Sequence, residues 1–405
     1  MLVLGVVAFV ALGPQAAVSH ENIDYAPVVP ATLLVDRASL MKLPTSGPAW
    51  DNIVEWSERT EVLDLAFNDS YHDMVALASA LRGVRTGELA YQVKARNYIA
   101  VAAFSRTVFD DPLARSLAIG RNVLSYVLAA DLLELDRRQP EVDALVREWL
   151  VLVEETVWPG DGRTLREAHE VRPNNWGLVC GATRIAIDMY LRDAQALNDI
   201  ALARRVFHAW LGAPGQWDQF VWGGGQPRDN SWQPNEDPEL YRGIGAVGAM
   251  LGGGLHDADG LMPDDQRRVG DLECLNTLIS YPVGWGVTTS YTWEALQGAV
   301  MQAHLLTRCG YPAFEWEDRA LGRAVRWLYD VYAFPPEATE FACGGELDTP
   351  TSTWVPHVTD HYYGTHRATT LGGRPGRNCG FADWWVNALP PVGPPRHLRG
   401  SVDER

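Results

Sequence analysis

Between about residue 50 and about residue 335, apolar side chains recur every three to four positions, which is the spacing of one face of an α-helix. One such stripe lies within residues 72–85 and consists of Met74, Val75, Leu77, Ala78 and Leu81. The period-two alternation that is typical of half-buried strands is almost absent. The pattern therefore predicts an all-α chain.

The predicted helices are separated by short segments rich in Gly and Pro, and they cover residues 72–85, 91–108, 113–135, 142–157, 176–191, 199–211, 265–279, 291–306 and 318–332. Several of them are apolar over more than one face, whereas a simple bundle needs only one apolar stripe on each helix. We therefore expect a single (α/α) toroid or incomplete barrel. In such a fold, antiparallel helix pairs form an inner and an outer layer around a central cleft.

Two stretches interrupt the helical pattern, at residues 217–237 and 334–385. Both are rich in Gly, Trp and polar residues, and we expect long irregular loops there, the second of them near the C-terminus. Long loops in a compact domain commonly carry function. In the first stretch, Trp217, Trp222 and Trp232 are predicted either to stack on sugar rings or to pack as a lid.

The two ends of the chain differ in composition from the rest. Residues 1–12 are apolar and precede a run of small residues, so residues 1–18 are predicted to be a signal peptide of a secreted or periplasmic protein. Residues 19–390 are predicted to form one catalytic domain. The Pro-rich end, residues 391–405, is predicted to be a disordered tail.

Charge and cysteine usage exclude several classes of partner. The chain has 34 Lys and Arg residues against 51 Asp and Glu residues, a formal net charge of −17. Nucleic acids and anionic membranes both attract basic surfaces, so we expect neither as a partner. The five cysteines are scattered, without the C-x-x-C or His-rich spacing of zinc sites, and we expect most to be buried free thiols. We expect no metal, no cofactor and a monomer.

The sequence RPNNWG at residues 172–177 precedes a strongly apolar helix. Pro173 suits the first helical position, which places Asn174 and Asn175 in the first turn, beside unpaired backbone N–H groups. The positive end of the helix dipole lies there too, and with Arg172 these donors favour a carboxylate ligand. The alternative is that the two asparagines are ordinary helix caps.

The sequence SYTWEALQ at residues 290–297 opens the next-to-last helix. Tyr291, in the first turn of an inner helix, can present its phenol to a central cleft. Glu294 is either a capping carboxylate or a buried acid. The alternative for Tyr291 is an ordinary aromatic residue at a helix boundary.

The sequence DHYYGTH at residues 360–366 brings an acid, an imidazole and phenols together in a predicted loop. Histidine is the natural acid or base near neutral pH, which favours His361 as a catalytic candidate. His169, which lies shortly before the asparagine pair, is a second candidate. The alternative for His361 is a satisfied histidine in a surface loop, and the alternative for His169 is an exposed residue without a catalytic role.

The order of these stretches resembles the alginate lyase family of (α/α)-toroid polysaccharide lyases. The resemblance covers residues 48–335 and rests on ALASALRGVRTGELAYQVKAR, IGRNVLSYVLAADLLEL, RPNNWGLVCGATRIAIDMYL and YTWEALQGAVMQAHLLTRCGY. It implies cleavage of a 1,4-linked uronate polysaccharide, alginate-like or glucuronan-like, by β-elimination. In that family, an Asn and an Arg neutralise the uronate carboxylate, a His or Tyr removes the C5 proton, and a Tyr protonates the departing 4-oxygen.

By this resemblance, Asn175, with Asn174, is the neutralising residue and Tyr291 is the acid. Arg172 is the expected guanidinium, with Arg242 in reserve. The resemblance fails at one position, because well-known members have a His directly after the Asn pair, where this chain has Trp176.

The base therefore stays open: it is Tyr291 itself, His361 or His169, while Tyr241, Tyr362 and Tyr363 are alternative tyrosines. The expected catalytic residues are Asn175, Tyr291, His361 and His169. The expected substrate-binding residues are Arg172, Asn174, Trp176, Tyr241, Arg242, Glu294, Tyr362 and Trp232.

Two other functions compete with a lyase acting on an anionic polysaccharide. The first is a glycoside hydrolase on the same toroid, using Glu294 with Asp360, or Glu236 with Asp237, as paired carboxylates. The second is a non-catalytic carbohydrate-binding protein that has kept the cleft and lost the base. Trp176 in place of histidine is the feature that favours this second alternative.

Overall fold

The computed structural model describes residues 26–215, 217, 243–244, 250–251, 256–257, 259–263, 290–333, 351–369 and 373–392. The described chain is mostly helical, which confirms the all-α prediction. Its strands there are one antiparallel pair of two residues each, β1 (Met250–Leu251) and β2 (His256–Asp257). No helix within this part of the chain is long and apolar enough to cross a membrane.

The helices in chain order are α1 (Arg37–Leu40), α2 (Pro48–Glu58), α3 (His72–Thr86), α4 (Leu89–Phe104), α5 (Ser116–Asn122), α6 (Leu124–Leu132), α7 (Leu135–Arg138), α8 (Pro140–Glu155), α9 (Leu165–Val171), α10 (Asn175–Leu191), α11 (Ala194–Leu211), α12 (Ser290–Arg308), α13 (Trp316–Ala333), α14 (Val355–Tyr363) and α15 (Ala382–Trp385). The predicted signal peptide, the predicted helix at 265–279, and Trp232, Tyr241 and Arg242 lie outside the described residues. So do Glu236 and Asp237.

The prediction of a continuous irregular loop over residues 334–385 was wrong where the structure describes it. α14 contains His361 and Tyr362, which were expected in a loop. Three features make this segment a helix: Pro356 in the first turn, the buried side chains of Val355 and Val358 at helical spacing, and Gly364 in the left-handed conformation after the last turn.

A second correction concerns the apolar run at residues 113–135, which was predicted as one helix. The structure divides it at Val123 into α5 and α6. Asn122, at the division, donates through Nδ2 to the backbone oxygens of Phe67 at 2.8 Å and Leu65 at 3.2 Å. The break thus places polar side chains within an otherwise buried stretch.

The helices fall into two kinds according to burial. Nearly every residue of α3, α6, α10 and α12 is buried, so these four helices are covered on all sides. α4 and α8 bury only one face, with buried residues three to four positions apart. α3 packs against α6, and α10 packs against α5, α6, α9, α11 and α12. α10 therefore lies at the centre of the described core.

The segment at residues 31–34 lies across the C-terminal ends of α6, α10 and α12. The Leu33 backbone N–H donates to Asp131 at 2.8 Å, and Arg308 donates to the Thr32 carbonyl at 2.9 Å. Arg192, just after α10, donates to the Ala31 carbonyl at 3.2 Å. The C-terminal ends of α10 and α12 are therefore both in contact with this segment. Their N-terminal ends are also in contact, through the bond from Asn175 to Glu294.

The described cysteines, Cys180, Cys309 and Cys379, are buried free thiols, as the sequence predicts for most of them. Cys180 donates to the Ser116 carbonyl at 3.3 Å. Burial raises the pKa of each thiol, so these groups stay protonated and act as small apolar residues.

A buried histidine near the C-terminal end of α12 makes stability depend on pH. His304 Nε2 donates to the Leu34 carbonyl at 2.8 Å, and Nδ1 lies 3.1 Å from the Tyr362 hydroxyl. Burial, with smaller effects of Arg308 and His361, lowers its pKa from 6.5 to about 3. The unfolded chain therefore takes up a proton as the pH falls below 6.5, whereas the native chain does not until the pH nears 3.

We expect the free energy of unfolding to fall as the pH drops through this window, by up to about 1.4 kcal/mol per pH unit for His304. His304→Gln should flatten that slope between pH 6 and 4, as measured by urea unfolding at a series of pH values. His366→Gln, at an exposed position, is the matched control. Parallel curves for wild type and His304→Gln would refute this origin of the slope.

Candidate functional site

Buried polar side chains meet where α10 and α12 begin. Asn175 is the first residue of α10, and Glu294 lies in the first turns of α12. Asn175 Nδ2 donates to Glu294 Oε2 at 2.7 Å, and both side chains are buried. From the division between α5 and α6, Arg121 donates through Nε to Glu294 Oε1. One buried carboxylate therefore holds both an amide and a guanidinium.

Arg121 is fixed by further partners at this point. Its Nη1 donates to the Asn68 carbonyl at 3.3 Å and lies 3.9 Å from Oδ1 of the exposed Asp69. Burial lowers the pKa of Arg121, but the charge and hydrogen bond of Glu294 outweigh burial and raise the pKa overall, with help from Asp69 and Tyr291. The guanidinium is thus a permanent and well-positioned positive charge.

Tyr291 lies three residues before Glu294, so the two side chains share one face of α12. Tyr291 is 39% exposed, in contrast to the buried residues that follow it. Its phenol interacts electrostatically with Arg121. We call Arg121, Asn175, Tyr291 and Glu294 the inner cluster; it combines an exposed tyrosine with a half-buried guanidinium and a buried amide and carboxylate.

The asparagine pair is not an ordinary cap. The helix begins at Asn175 rather than at the predicted Pro173, and the Asn174 side chain makes no capping hydrogen bond. Both polar atoms of the Asn174 side chain are buried and have no hydrogen-bond partner within the described residues. Gly177 lets the chain turn closely here, because a Cβ at that position would clash with the Arg172 carbonyl.

Arg172, the expected guanidinium, is engaged elsewhere. Its side chain is buried, with the guanidinium carbon 4.2 Å from the centre of the half-buried Trp176 ring. Arg172 Nη2 also lies 3.9 Å from Asp161 Oδ2. The guanidinium that the structure joins to Asn175, through Glu294, is therefore that of Arg121.

His169 is buried rather than open to a cleft, with 2% of the residue exposed. Its Nδ1 lies 3.5 Å from Arg184 Nη1, and Arg184 is paired with Glu170 at 2.9 Å. Burial, followed by the charge of Arg184, lowers the pKa of His169 well below its usual range. The structure gives this histidine packing neighbours and does not bring it to the inner cluster.

His361 and Tyr362 lie near the other end of α12. The Tyr362 hydroxyl contacts His304, which is ten residues beyond Glu294 and so about 15 Å away along the helix axis. The half-buried His361 packs edge-on against Tyr362, with ring centres 5.1 Å apart. Tyr363 is half-buried, and its ring packs against Phe314 and Gly322. These residues therefore form part of the packing around α14.

Asp360, the proposed hydrolase partner of Glu294, has a local structural role. Its carboxylate accepts hydrogen bonds from the Thr365 hydroxyl and from the backbone N–H groups of Arg367 at 3.0 Å and Ala368 at 2.8 Å. These bonds hold the turn after α14. The structure therefore does not pair Asp360 with Glu294.

A second polar group adjoins the inner cluster, and sequence reasoning missed it. Arg377 Nη2 donates to Asp73 Oδ1 and to Asn122 Oδ1, both at 2.8 Å, and Nη1 donates to the Asn68 carbonyl at 3.1 Å. The Arg377 backbone N–H also donates to Gln297 Oε1 at 2.6 Å, one turn after Glu294. The Asn68 carbonyl thus accepts from both Arg121 and Arg377 and links the two groups.

The signal for these residues in the sequence was weak. Arg121 and Asn122 interrupt the apolar run SLAIGRNVLSYVLAA, and a charged residue in such a run needs a partner. His72, at the start of α3, is buried. It is 2.6 Å from the Tyr126 hydroxyl, and burial lowers its pKa to about 4.

One buried acidic group in the described residues has the spacing of a metal site. The carboxylates of Glu154, Asp188 and Asp199 lie within 4.8 Å of one another. Arg166 Nη2 is 2.6 Å from Asp199, and Arg184 lies 4.0 Å from both Glu154 and Asp199. Two guanidiniums therefore supply the positive charge that a cation would supply, and we assign no metal to this group.

No family model, curated protein or solved structure matches this chain. Chemically, the inner cluster offers two kinds of donor for an anion and an exposed hydroxyl that can carry a proton. Both α10 and α12 begin here, so the positive ends of their dipoles favour a bound negative charge.

Proposed function

We propose that the protein is a secreted or periplasmic polysaccharide lyase that cleaves a 1,4-linked uronate chain by β-elimination. The observation that carries the proposal is the inner cluster, in which Glu294 holds Asn175 and Arg121 beside the exposed Tyr291.

We further propose an (α/α) toroid in which α3, α6, α10 and α12 form the inner layer. The burial of nearly every residue in these helices and the common ends of α10 and α12 support that arrangement.

The chemistry requires stabilisation of negative charge. The proton on C5 of a uronate is too weakly acidic to be removed unless the charge that develops on the neighbouring carboxylate is stabilised. Amide and guanidinium donors that are already oriented provide this stabilisation without reorganisation during the reaction. In the proposed mechanism Asn175 and Arg121 bind the uronate carboxylate, and Glu294 orients both of them.

Tyr291 acts in the proposed mechanism as both base and acid. Its phenolate oxygen takes the C5 proton, the C5–H electrons form the C4–C5 double bond, and the bond from C4 to the glycosidic oxygen breaks. The same proton then passes from Tyr291 to that oxygen, which becomes the new reducing end. Neither His169 nor His361 joins the inner cluster, which supports a single tyrosine.

The product tests the proposal directly. Incubation with alginate, polyglucuronate, pectate and a glucuronate-containing glycosaminoglycan should raise ultraviolet absorbance with one of them, because elimination creates a conjugated double bond. New reducing ends without that rise would establish hydrolysis instead. The absence of both, together with measured binding of an oligouronate, would leave a non-catalytic carbohydrate-binding protein.

Arginine substitutions distinguish the two candidate guanidiniums. Arg121→Lys keeps the charge but loses the planar fork that binds a carboxylate, so we expect turnover to fall at least about tenfold. Arg172→Lys, the matched control, should change turnover by less than about threefold, because Arg172 packs on Trp176 rather than on Glu294. Initial rates by ultraviolet absorbance measure both. A larger loss of turnover in Arg172→Lys than in Arg121→Lys would instead assign binding of the carboxylate to Arg172.

A further inference from the structure

Tyr71 is an aromatic residue whose ring is held in place and yet open to solvent. It directly precedes α3 and is 39% exposed. The Trp56 ring lies 5.5 Å from its ring, centre to centre, and the Arg377 guanidinium carbon lies 5.0 Å from the ring centre. The Tyr71 hydroxyl has no hydrogen-bond partner in the described part of the chain. The Tyr71 ring is therefore held in place by its packing alone, and its hydroxyl makes no hydrogen bond to the described residues.

The neighbours of Tyr71 are themselves fixed. Trp56 packs edge-on against Phe381 at 6.4 Å, and the Arg59 guanidinium covers its ring at 3.9 Å. Arg377 is held by Asp73, Asn122 and the Asn68 carbonyl, as described above. A ring supported in this way loses little conformational freedom when a ligand packs on it, which favours binding.

Tyr71 is also joined to the inner cluster through a short chain of contacts. Arg377, which packs on Tyr71, donates to the Asn68 carbonyl, and that carbonyl also accepts from Arg121. Arg121 in turn interacts with Tyr291. Tyr71 is therefore linked to Arg121 of the inner cluster through Arg377, which shares one backbone oxygen with Arg121.

We propose that Tyr71 is a stacking platform for a pyranose ring of the substrate, next to the sugar that is cleaved at the inner cluster. The apolar C–H face of a pyranose packs on an aromatic ring, and a polymer held by its reacting sugar necessarily extends along the adjoining surface. This inference rests on the proposed function, because it names a subsite for the same chain. It assigns Tyr71 to substrate binding and not to proton transfer.

The test compares Tyr71→Ala, Tyr71→Phe and Tyr71→Trp on the polymer and on its shortest cleaved oligomer. Tyr71→Ala should raise KM for the polymer about five- to tenfold and leave kcat within about twofold, as expected for the loss of one stacking contact. The Phe and Trp variants should stay within about twofold of wild type, because they keep the ring. The effect of Tyr71→Ala should vanish on an oligomer too short to reach the platform.

Phe104→Ala, at an aromatic residue that is 69% exposed at the end of α4, is the matched control for a general loss of surface apolar area. An unchanged KM of Tyr71→Ala for the polymer would refute the proposed stacking role of Tyr71. A fall in kcat in Tyr71→Phe would overturn it as well, because the hydroxyl would then take part in the chemistry.

Equilibrium binding of the same oligosaccharides separates this inference from the proposed function. If wild type binds them without cleaving them and Tyr71→Ala binds them more weakly, the platform is supported and the lyase is refuted. If wild type cleaves them and Tyr71→Ala binds them equally well, the lyase is supported and the platform is refuted. Thermal unfolding of each variant establishes that the compared proteins are folded.

Discussion

Tyr291→Phe is expected to abolish turnover, with a fall of at least about 1000-fold, and to leave binding of the oligouronate largely intact. A positioned proton-transfer group contributes roughly 100- to 10,000-fold, and in the proposed mechanism this one hydroxyl serves both transfers. The substitution removes a single oxygen from a side chain that is 39% exposed, so the fold should tolerate it. Ultraviolet initial rates measure the first effect, and equilibrium binding measures the second.

Tyr362→Phe provides the matched control, because it makes the same chemical change in the other tyrosine motif. Its hydroxyl contacts His304 at the far part of α12, so turnover should stay within about threefold of wild type. Near-normal activity in Tyr291→Phe would remove Tyr291 from the mechanism. A large loss in Tyr362→Phe with unchanged stability would place the chemistry at α14 instead.

The periodicity of the sequence was sufficient for the helical architecture. α3, α8, α10 and α12 were predicted within a few residues of their observed ends, because an apolar stripe and its flanking Gly and Pro residues are local signals. α14 was missed because its segment is short and surrounded by Gly-rich and polar stretches. Its helix depends on burial of Val355 and Val358, which is a tertiary effect.

The candidate site was predictable residue by residue but not as an arrangement. Asn175 and Glu294 were both singled out at the starts of helices, yet they are 119 residues apart and only folding brings them into contact. Arg172 was preferred because it is adjacent to the asparagines in sequence. Arg121 was overlooked because it lies in an apolar run, and only its bond to Glu294 reveals its position.

Glu294 has a role that the sequence did not suggest. Burying a carboxylate is costly unless it is paired, and here it accepts from both an amide and a guanidinium. The same bonds fix the rotamers of Asn175 and Arg121 before a substrate arrives. A buried acid beside an anion site is therefore consistent with the proposed function, because it organises the donors and keeps Arg121 charged.

Asn175→Ala is expected to lower turnover by about 100-fold or more, which is the usual effect of losing one oriented donor to a developing negative charge. The variant also leaves Glu294 Oε2 without its amide donor, which should cost about 1–3 kcal/mol of stability. Thermal unfolding must therefore accompany the rate measurement, so that turnover is compared at a temperature where both proteins are folded.

Asn174→Ala separates the two asparagines that the sequence treats as a pair. The Asn174 side chain makes no hydrogen bond within the described residues, so its removal should not disturb Glu294. We therefore expect Asn174→Ala to lower turnover less than Asn175→Ala does. A change of only about twofold in Asn175→Ala would mean that its amide merely anchors Glu294, since an anchoring bond affects stability whereas an oriented donor affects the barrier. Loss of turnover at unchanged substrate affinity is the result that assigns Asn175 to the transition state.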